Sequence, residues 1–280
     1  MTLGIFAKTF ARPSVEEVFD SVAHYGLRWV QFNFACAGLP SMPDQLNPEL
    51  LDRIRRAATG RQVAIAAVSG TFNMIHPDKL QQREGIWRLR VLASACSEID
   101  APIITLCTGT RDLENMWRRH PDNDLADAWL DLVGAMSQAV TIAEEFNLTL
   151  GIEPEVGNVV DSAPKARRLL DEIQSPRLKI VMDGANLFHA HELPRMREIM
   201  DEAFELLGRD IVLAHAKELG VDGHAGGLAL GSGVLDWDHY LALLIEAYYK
   251  GPLIMHGIDE RDITASVNFL RQHLPTTGCD

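Results

Sequence analysis

The sequence predicts an α/β protein: a (β/α)8 TIM barrel in a single domain spanning residues 1–280. Eight short apolar runs occur along the chain, and longer stretches with helical periodicity lie between them. The runs are apolar throughout, which is typical of parallel strands buried on both faces. Eight strand–helix units in roughly 250 residues is the size of such a barrel. An open doubly wound sheet is the alternative, but no run is followed by a glycine-rich dinucleotide fingerprint.

The predicted strands lie at residues 3–10, 27–34, 63–70, 101–109, 148–155, 178–184, 210–218 and 251–259. Helical patterns are clearest at residues 14–26, 47–60, 128–147, 162–173 and 235–251. Ser14 and Glu17 have the spacing of a capping box, and Gly26 and Gly60 stand where a helix places its C′ glycine. The long segment 109–128 is a conspicuous insertion after a strand.

The acidic composition limits the classes of partner. The formal net charge is −13, and no Lys/Arg tract interrupts it. Long-range attraction to nucleic acid or to an anionic membrane is therefore disfavoured. No apolar run approaches the about 20 residues that span a bilayer, and the N-terminus lacks a signal-peptide pattern. We expect a cytoplasmic protein that binds small molecules, with homo-oligomer formation left open.

Polar side chains collect where the apolar runs end. In parallel barrels the chemistry lies at the carboxyl ends of the strands and in the loops that follow them. The starts and middles of the runs hold no comparable set. The residues at the run ends are Lys8, Gln31, Asn33, Ser69, Asn73, His76, Thr108, Arg111, Glu153, Glu155, Asp183, Asn186, His215, Lys217 and His256.

Glu153, Asp183 and His215 each end an apolar run, and the three runs are consecutive. Two carboxylates and an imidazole suit a divalent metal ion, with Mn²⁺, Zn²⁺, Co²⁺, Fe²⁺ and Mg²⁺ left open. The alternative is structural, with Glu153 paired to a lysine and His215 a satisfied core histidine. We favour the metal site because all three residues occur in register.

Four short motifs occur in a characteristic order. They are "GIEPE" with Glu153, "VMDGAN" with Asp183, "AHAKE" with His215, and the glycine-rich "LGSGVLDW" at residues 230–237. In this order the chain resembles the xylose-isomerase-like barrel superfamily, which includes sugar isomerases and epimerases, inosose dehydratases and AP endonuclease family 2 (endonuclease IV) enzymes. The resemblance implies a metal held by Glu, Asp, His and Glu after the fifth to eighth strands.

Two positions depart from the pattern of that superfamily. His256 stands where the superfamily usually has its last glutamate, and Asn186 stands where many sugar epimerases have a substrate-binding histidine. Without the second glutamate, a symmetric two-glutamate epimerase is disfavoured. We expect His256 to be the fourth metal ligand or a general acid, the alternative being a loop cap. We expect Asn186 to contact substrate.

Three further residues are candidates for substrate binding. His76 follows the third strand, where it would face substrate or mark a helix start. Arg111 would clamp a carboxylate or phosphate of the substrate, or pair with Asp112 or Asp78 and hold the long loop. Lys8 adds positive charge at the same end of the barrel as Lys217, which favours an anionic substrate.

The function predicted from these residues is that of a metal-dependent isomerase or epimerase acting on a small sugar or polyhydroxy carbonyl compound through an ene-diolate. Glu153 or Glu155 would be the base, and Lys217 or His256 would return the proton or polarise the oxygen. An inosose-type dehydratase and a non-catalytic sugar-binding barrel are the alternatives. An endonuclease-like phosphodiesterase is disfavoured because it needs a basic surface and more metal ligands.

Overall fold

The computed structural model describes residues 1–274, in which eight parallel strands form a closed barrel. Each strand pairs with the next in chain order, and the eighth closes on the first with Leu3 opposite Leu253. The predicted fold is confirmed. The strands are β1 (Leu3–Phe6), β2 (Trp29–Phe32), β3 (Ala64–Ser69), β4 (Ile103–Leu106), β5 (Thr149–Ile152), β6 (Leu178–Asp183), β7 (Ile211–Ala216) and β8 (Leu253–Met255).

Within residues 1–274, eight α-helices surround the barrel, one after each strand. Their buried residues pack with the outward side chains of the strands in one large apolar cluster. Among residues 1–274, none of the helices combines the length and the apolar character needed to cross a membrane. The helices are α1 (Val15–His24), α2 (Pro48–Thr59), α3 (Lys79–Cys96), α4 (Ala126–Glu145), α5 (Ala163–Ile173), α6 (Met196–Leu207), α7 (Trp237–Glu246) and α8 (Ile263–His273).

The barrel interior is filled by a second, small apolar cluster of residues from several strands, namely Ala66, Ala67, Val181, Leu213 and Ile254. Glycines on β1 and β5 make room for it. A Cβ atom on Gly151 would lie 2.7 Å from Val181 Cγ2, and one on Gly4 would lie 2.5 Å from Ile254 Cδ1. The packed interior supports the polar groups at the carboxyl ends of the strands.

Several predicted element boundaries are wrong by a few residues. The strands are shorter than the apolar runs, because the ends of the runs leave the sheet and turn into buried loops. Residues 7–9 and 34–37, for example, form short 3-10 helices. Gly26 has the left-handed φ of +69° expected of a C′ glycine, whereas Gly60 is helical with φ −62°. The left-handed residue after α2 is Gln62, with φ +55°.

The cap of α1 also differs from the prediction in one hydrogen bond. Ser14 Oγ accepts from the backbone N–H of Glu17 at 3.3 Å, as predicted. The Glu17 carboxylate accepts from the Ser14 hydroxyl at 2.9 Å, where a capping box would use the backbone N–H of Ser14. The hydroxyl therefore carries both interactions, and the start of α1 is as the sequence predicts.

The insertion after β4 is held against the barrel by buried asparagines. Asn123 Oδ1 accepts from the backbone N–H of Arg111 at 2.8 Å, and its Nδ2 donates to Gly157 O at 3.2 Å. Asn158 accepts from the backbone N–H of Gly109 at 2.7 Å and donates to Met116 O at 3.1 Å. These bonds join the loops after β4 and β5, so the insertion forms a fixed wall at the barrel mouth.

Candidate active site

The carboxyl ends of β5 to β8 bring one cluster of ionisable side chains together. Glu153 directly follows β5, Asp183 ends β6, and His215 lies near the end of β7. The sheet register aligns them, because Asp183 lies opposite His215 and the backbone N–H of His256 donates to Ala216 O at 2.9 Å. The side chains predicted to hold a metal are therefore neighbours in space.

The contacts within the cluster are short. His215 Nδ1 lies 3.4 Å from Asp183 Oδ2 and 3.5 Å from Glu153 Oε2. Lys217 Nζ lies 3.1 Å from Asp183 Oδ2 and 3.9 Å from Glu153 Oε1. Asn186 Nδ2 donates to Glu153 Oε1 at 2.5 Å. Glu153 thus has both a lysine partner and a place in the cluster, and Asn186 orients its carboxylate.

His256 belongs to the same cluster. Its ring lies parallel to that of His215, with ring centroids 4.7 Å apart and planes at 3°. On β1, Phe6 packs against the same imidazole at 4.7 Å. The ring is thereby held between β1 and β7, and its Nδ1 atom is buried. The structure gives His256 a position from which it can act in the site.

The donor atoms fit a divalent metal ion. Among residues 1–274, the buried atoms His215 Nδ1 and His256 Nδ1 make no hydrogen bond, and Asp183 Oδ2 has only the ion pair with Lys217. Potential ligand atoms of these three residues all lie within 4.8 Å of one another. Buried polar atoms without partners are rare and call for a physical explanation. A shared cation would satisfy all three, with Glu153 beside them as a fourth candidate.

Gln31 has a role that the sequence did not reveal. Its Oε1 atom lies 2.8 Å from His215 Nε2, and its Nε2 donates to the hydroxyls of Ser69 at 3.1 Å and Thr105 at 3.2 Å. This contact fixes the ring of His215 and leaves its Nδ1 free to bind a ligand, as outer-shell partners of metal-binding histidines do. The only signal in the sequence was a polar residue at the end of a predicted strand.

The charges of the cluster shift its pKa values strongly. Burial lowers the pKa of His215, but Glu153 and Asp183 outweigh burial and raise it to about 9. Burial raises the pKa of Asp183, yet Lys217 and His215 bring it below its ordinary value. The pKa of Lys217 is raised by these carboxylates against the effect of burial. The pKa of His256 is lowered, first by burial and then by the charge of Lys217.

Glu155 is a titratable group of the site whose pKa lies near neutral pH. Burial raises its pKa to about 7, with Glu153 and Asp183 adding to the increase and Lys217 opposing it. The backbone N–H of Gly157 donates to its Oε1 at 3.4 Å. A carboxyl group with this pKa exists in both protonation states near pH 7, which is the condition for general acid–base chemistry.

Lys217 is positioned by two glycines and by its neighbour Glu218. A Cβ on Gly226 or Gly257 would lie 3.8 Å or 3.4 Å from the Lys217 stem, and both glycines have positive φ. Glu218 is fully buried and accepts from the backbone N–H of Leu219 at 3.0 Å and the Nε1–H of Trp237 at 2.9 Å. This carboxylate also binds the backbone of the glycine-rich segment 230–237 through Gly231 and Leu235.

Arg111 is directed away from the cluster, toward α4. Its guanidinium lies 2.7 Å from Asp131 Oδ2 and donates to Ile75 O at 3.0 Å. Arg111 thus makes a structural ion pair, and its partner is Asp131, where the sequence suggested Asp112 or Asp78. The reason is that α4 directly follows the insertion, so Asp131 on α4 lies next to Arg111 at the start of the insertion. A contact of Arg111 with an anionic substrate stays a prediction.

His76 and Lys8 lie at the rim. His76 Nδ1 accepts from the backbone N–H of Asp78 at 3.0 Å, and its Nε2 lies 3.3 Å from Leu113 O. These contacts match the predicted helix start, because Asp78 is the N-cap of α3. Lys8 is exposed, and its charge contributes to the lowered pKa of His256. Substrate contacts of His76, Lys8 and Asn186 stay predictions.

A family model described as "Xylose isomerase-like TIM barrel" matches residues 19–273, so the chain belongs to that family. Among solved structures, a D-tagatose 3-epimerase-like protein is 16% identical, with 98% of this chain and 97% of that chain covered and a TM-score of 0.76. The IOLI protein with a binding zinc atom is 14% identical, with 98% of each chain covered and a TM-score of 0.75.

A third solved structure, the probable 3-DHS dehydratase AsbF involved in petrobactin synthesis from Bacillus anthracis, is 14% identical. The alignment covers 97% of this chain and 99% of that chain, with a TM-score of 0.74. No curated protein matches the sequence. At these identities the structural likeness shows the fold, and the function has to be argued from the residues of the site.

Proposed function

We propose that the protein is a divalent-metal-dependent isomerase or epimerase that acts on a small polyhydroxy carbonyl compound through an ene-diolate. The observation that carries this proposal is the cluster at the ends of β5 to β8, in which two buried imidazole nitrogens make no hydrogen bond to any residue of 1–274 and lie in one group with Asp183. Glu155, whose pKa is raised to about 7, belongs to the same end of the barrel. Neighbouring structures in the family include a D-tagatose 3-epimerase-like protein and a zinc-binding protein.

Asp183, His215 and His256 would hold the metal, with Glu153 as the fourth ligand. When bound, a divalent ion supplies Lewis-acid chemistry: it polarises the substrate carbonyl and stabilises the negative charge that develops there. Four neutral or anionic donors of this kind suit a borderline ion such as Zn²⁺ or Mn²⁺. The stacked rings of His215 and His256 present one anionic charge fewer than a site with a glutamate in place of His256.

Proton transfer is assigned to Glu155 in this proposal. With a pKa of about 7, its carboxylate can remove the proton from the carbon beside the carbonyl and return it to the neighbouring carbon. The ammonium group of Lys217 lies in the same cluster. There it donates a hydrogen bond to the substrate carbonyl oxygen, which becomes negatively charged in the ene-diolate. Asn186 holds the Glu153 carboxylate in one orientation through its amide.

A dehydratase is the second candidate, and His256 favours it. With a neutral imidazole at this position, β8 contributes no carboxylate base. Apart from Asp183, the carboxylates that can act as bases are Glu153 and Glu155, which both follow β5. Bases on one side of the substrate suit a 1,2-isomerisation or the elimination of a hydroxyl better than an epimerisation that needs a base on each face. A structural neighbour named as a probable dehydratase is consistent with this chemistry.

The test is an exchange experiment in D₂O with the purified protein loaded with Mn²⁺, Co²⁺ or Zn²⁺ in turn. Ketoses and inososes are incubated with it, and deuterium incorporation is followed by NMR. Exchange with a new sugar as product supports the isomerase or epimerase, and an enone product supports the dehydratase. If a metal binds but neither exchange nor product is found, the proposal is wrong and the protein is a binding barrel.

A further inference from the structure

The side chain of Tyr240 reaches the two strands that carry Asp183 and His215. Tyr240 lies on α7, outside the barrel, and is completely buried. Its hydroxyl donates to two carbonyl oxygens, Met182 O on β6 at 3.0 Å and His215 O on β7 at 2.9 Å. A buried tyrosine hydroxyl needs such partners. The hydroxyl therefore links β6 and β7 from the helix side of the sheet.

Both carbonyls belong to peptide groups next to the proposed metal ligands. The carbonyl of Met182 is in the peptide group that leads into Asp183, and the carbonyl of His215 is in the peptide group that follows this histidine. The sheet register places Asp183 opposite His215. One hydroxyl thus holds the backbone at the two residues whose side chains approach to 3.4 Å, between Asp183 Oδ2 and His215 Nδ1.

The ring of Tyr240 fits against the sheet because the residue after Asp183 is a glycine. A Cβ atom on Gly184 would lie 3.0 Å from Tyr240 Cδ2, which is closer than the about 3.5–4.0 Å of an ordinary carbon–carbon contact. Phe204 and Trp237 pack edge-on against the same ring, with centroids 6.0 Å and 6.1 Å away. This packing holds the hydroxyl in one place.

The glycine-rich segment 230–237 sets the position of α7, and with it the position of Tyr240. Trp237 is the first residue of the helix, and its Nε1–H donates to the buried carboxylate of Glu218 at 2.9 Å. A Cβ atom on Gly233 would lie 2.6 Å from Glu218 Oε1, so a larger residue would push the segment away from this carboxylate. The glycine-rich motif therefore brings Tyr240 to the sheet.

We propose that Tyr240 is a positioning residue for the metal site, because its hydroxyl fixes the backbones of Asp183 and His215 relative to each other and so preorganises their side chains. This role rests on the proposed function and deepens it, since it extends the metal site to a residue on the outer ring of helices. Tyr240 contacts neither metal nor substrate in this role and acts only through the two ligands.

The test removes the hydroxyl and then restores a donor. Tyr240→Phe keeps the ring and should weaken Zn²⁺ binding by about tenfold, the lower end of the effect of outer-shell partners. Replacement of Tyr240 by 4-aminophenylalanine keeps an N–H donor at the same position and should recover most of the affinity. Competition with a chromophoric chelator measures the affinities. A Tyr240→Phe protein with the zinc affinity of the parent would overturn the positioning role.

Tyr249 provides a matched control, because it is a second buried tyrosine bonded to β7. Its hydroxyl accepts from the backbone N–H of Ala214 at 3.1 Å and donates to Pro252 O at 2.7 Å. Neither peptide group adjoins a proposed ligand. Tyr249→Phe should lower the urea midpoint of unfolding at least as much as Tyr240→Phe and leave the zinc affinity close to that of the parent. Equal loss of zinc affinity in both variants would mean that the hydroxyls act only through general stability.

Amide hydrogen exchange of the metal-free protein separates failure of this role from failure of the proposed function. Peptides covering residues 178–187 should exchange faster in Tyr240→Phe than in the parent or in Tyr249→Phe, because only Tyr240 bonds to β6. If this difference is found and the parent binds no divalent metal, the metal-dependent function fails and the effect of Tyr240 on the two backbones stands. If the parent binds metal and exchanges substrate protons but the variant matches it in amide exchange and zinc affinity, the function stands and the positioning role fails.

Discussion

The imidazole rings of His215 and His256 lie parallel, with centroids 4.7 Å apart and planes at 3°. Each ring leaves a buried Nδ1 atom without a hydrogen bond among the described residues, and each histidine offers a ring nitrogen within 4.8 Å of an Asp183 oxygen. The pKa of His215 is raised to about 9, whereas that of His256 is lowered. Two histidines in contact thus differ in protonation, and this difference determines how the site should respond to pH and to substitution.

The first prediction concerns the assignment of His256 as a ligand. His256→Ala should weaken the binding of Zn²⁺ or Mn²⁺ by at least about tenfold, because a donor is lost from a buried site. His256→Glu should restore binding, since it supplies an anionic donor. Competition with a chromophoric chelator measures the affinities. His191→Ala, at an exposed histidine, is the control. An unaltered metal affinity in His256→Ala would mean that His256 is not a ligand and only caps its loop.

The second prediction concerns protons released when the metal binds. A histidine binds metal only as the neutral ring, and the metal-free His215 has a pKa of about 9. Binding near pH 7.5 should therefore release about one proton, and affinity should rise with pH until about pH 9. His256 should contribute little, because its pKa is already low. Calorimetry in buffers of different ionisation enthalpy counts the protons, and a count near zero would contradict the assignment.

The third prediction concerns Glu155 as the base. Glu155→Gln should lower the rate of C–H exchange by about 10² or more while the metal stays bound. In the parent the rate should rise with pH as Glu155 ionises, through a pKa of at most about 7, because a bound cation favours the ionised form. Glu145→Gln, at an exposed glutamate of α4, should leave both the rate and the metal content unchanged.

The fourth prediction concerns Gln31 and its contact with His215. Gln31→Leu removes the oxygen that fixes His215 Nε2 and should weaken metal binding by about 10- to 100-fold, the usual effect of losing an outer-shell partner. Gln31→Glu retains an acceptor oxygen at the same position and should recover most of the affinity. Equal loss in both variants would mean that Gln31 acts through packing and has no part in orienting the ring.

The fifth prediction concerns Arg111. Arg111→Ala should leave KM and metal affinity unchanged and lower the free energy of unfolding by about 1–2 kcal/mol, because it removes a partly buried ion pair with Asp131. Urea denaturation measures the change, and Arg53→Ala at an exposed ion pair should cost less. A raised KM with unchanged stability would restore the anion contact that the sequence suggested.

The sequence alone was sufficient for the fold and for much of the site. Eight apolar runs separated by helical patterns predicted the barrel, because only strands covered on both faces tolerate such uniform composition. Polar residues at the ends of the runs predicted a candidate site there, and Glu153, Asp183, His215 and His256 were among the predicted residues. The local patterns were less informative about element ends, as at Gly60, because a helix C-terminus depends on the loop that follows it.

The tertiary structure decided which of these residues meet. The register of β6 against β7 sets the Asp183–His215 contact, and Gln31 approaches His215 only because the sheet closes on itself, since they are 184 residues apart in sequence. Burial, which a sequence does not display, raises the pKa of Glu155 to about 7. The sequence offered Asp112 and Asp78 as ion-pair partners of Arg111. The observed partner is Asp131, because the insertion packs against α4.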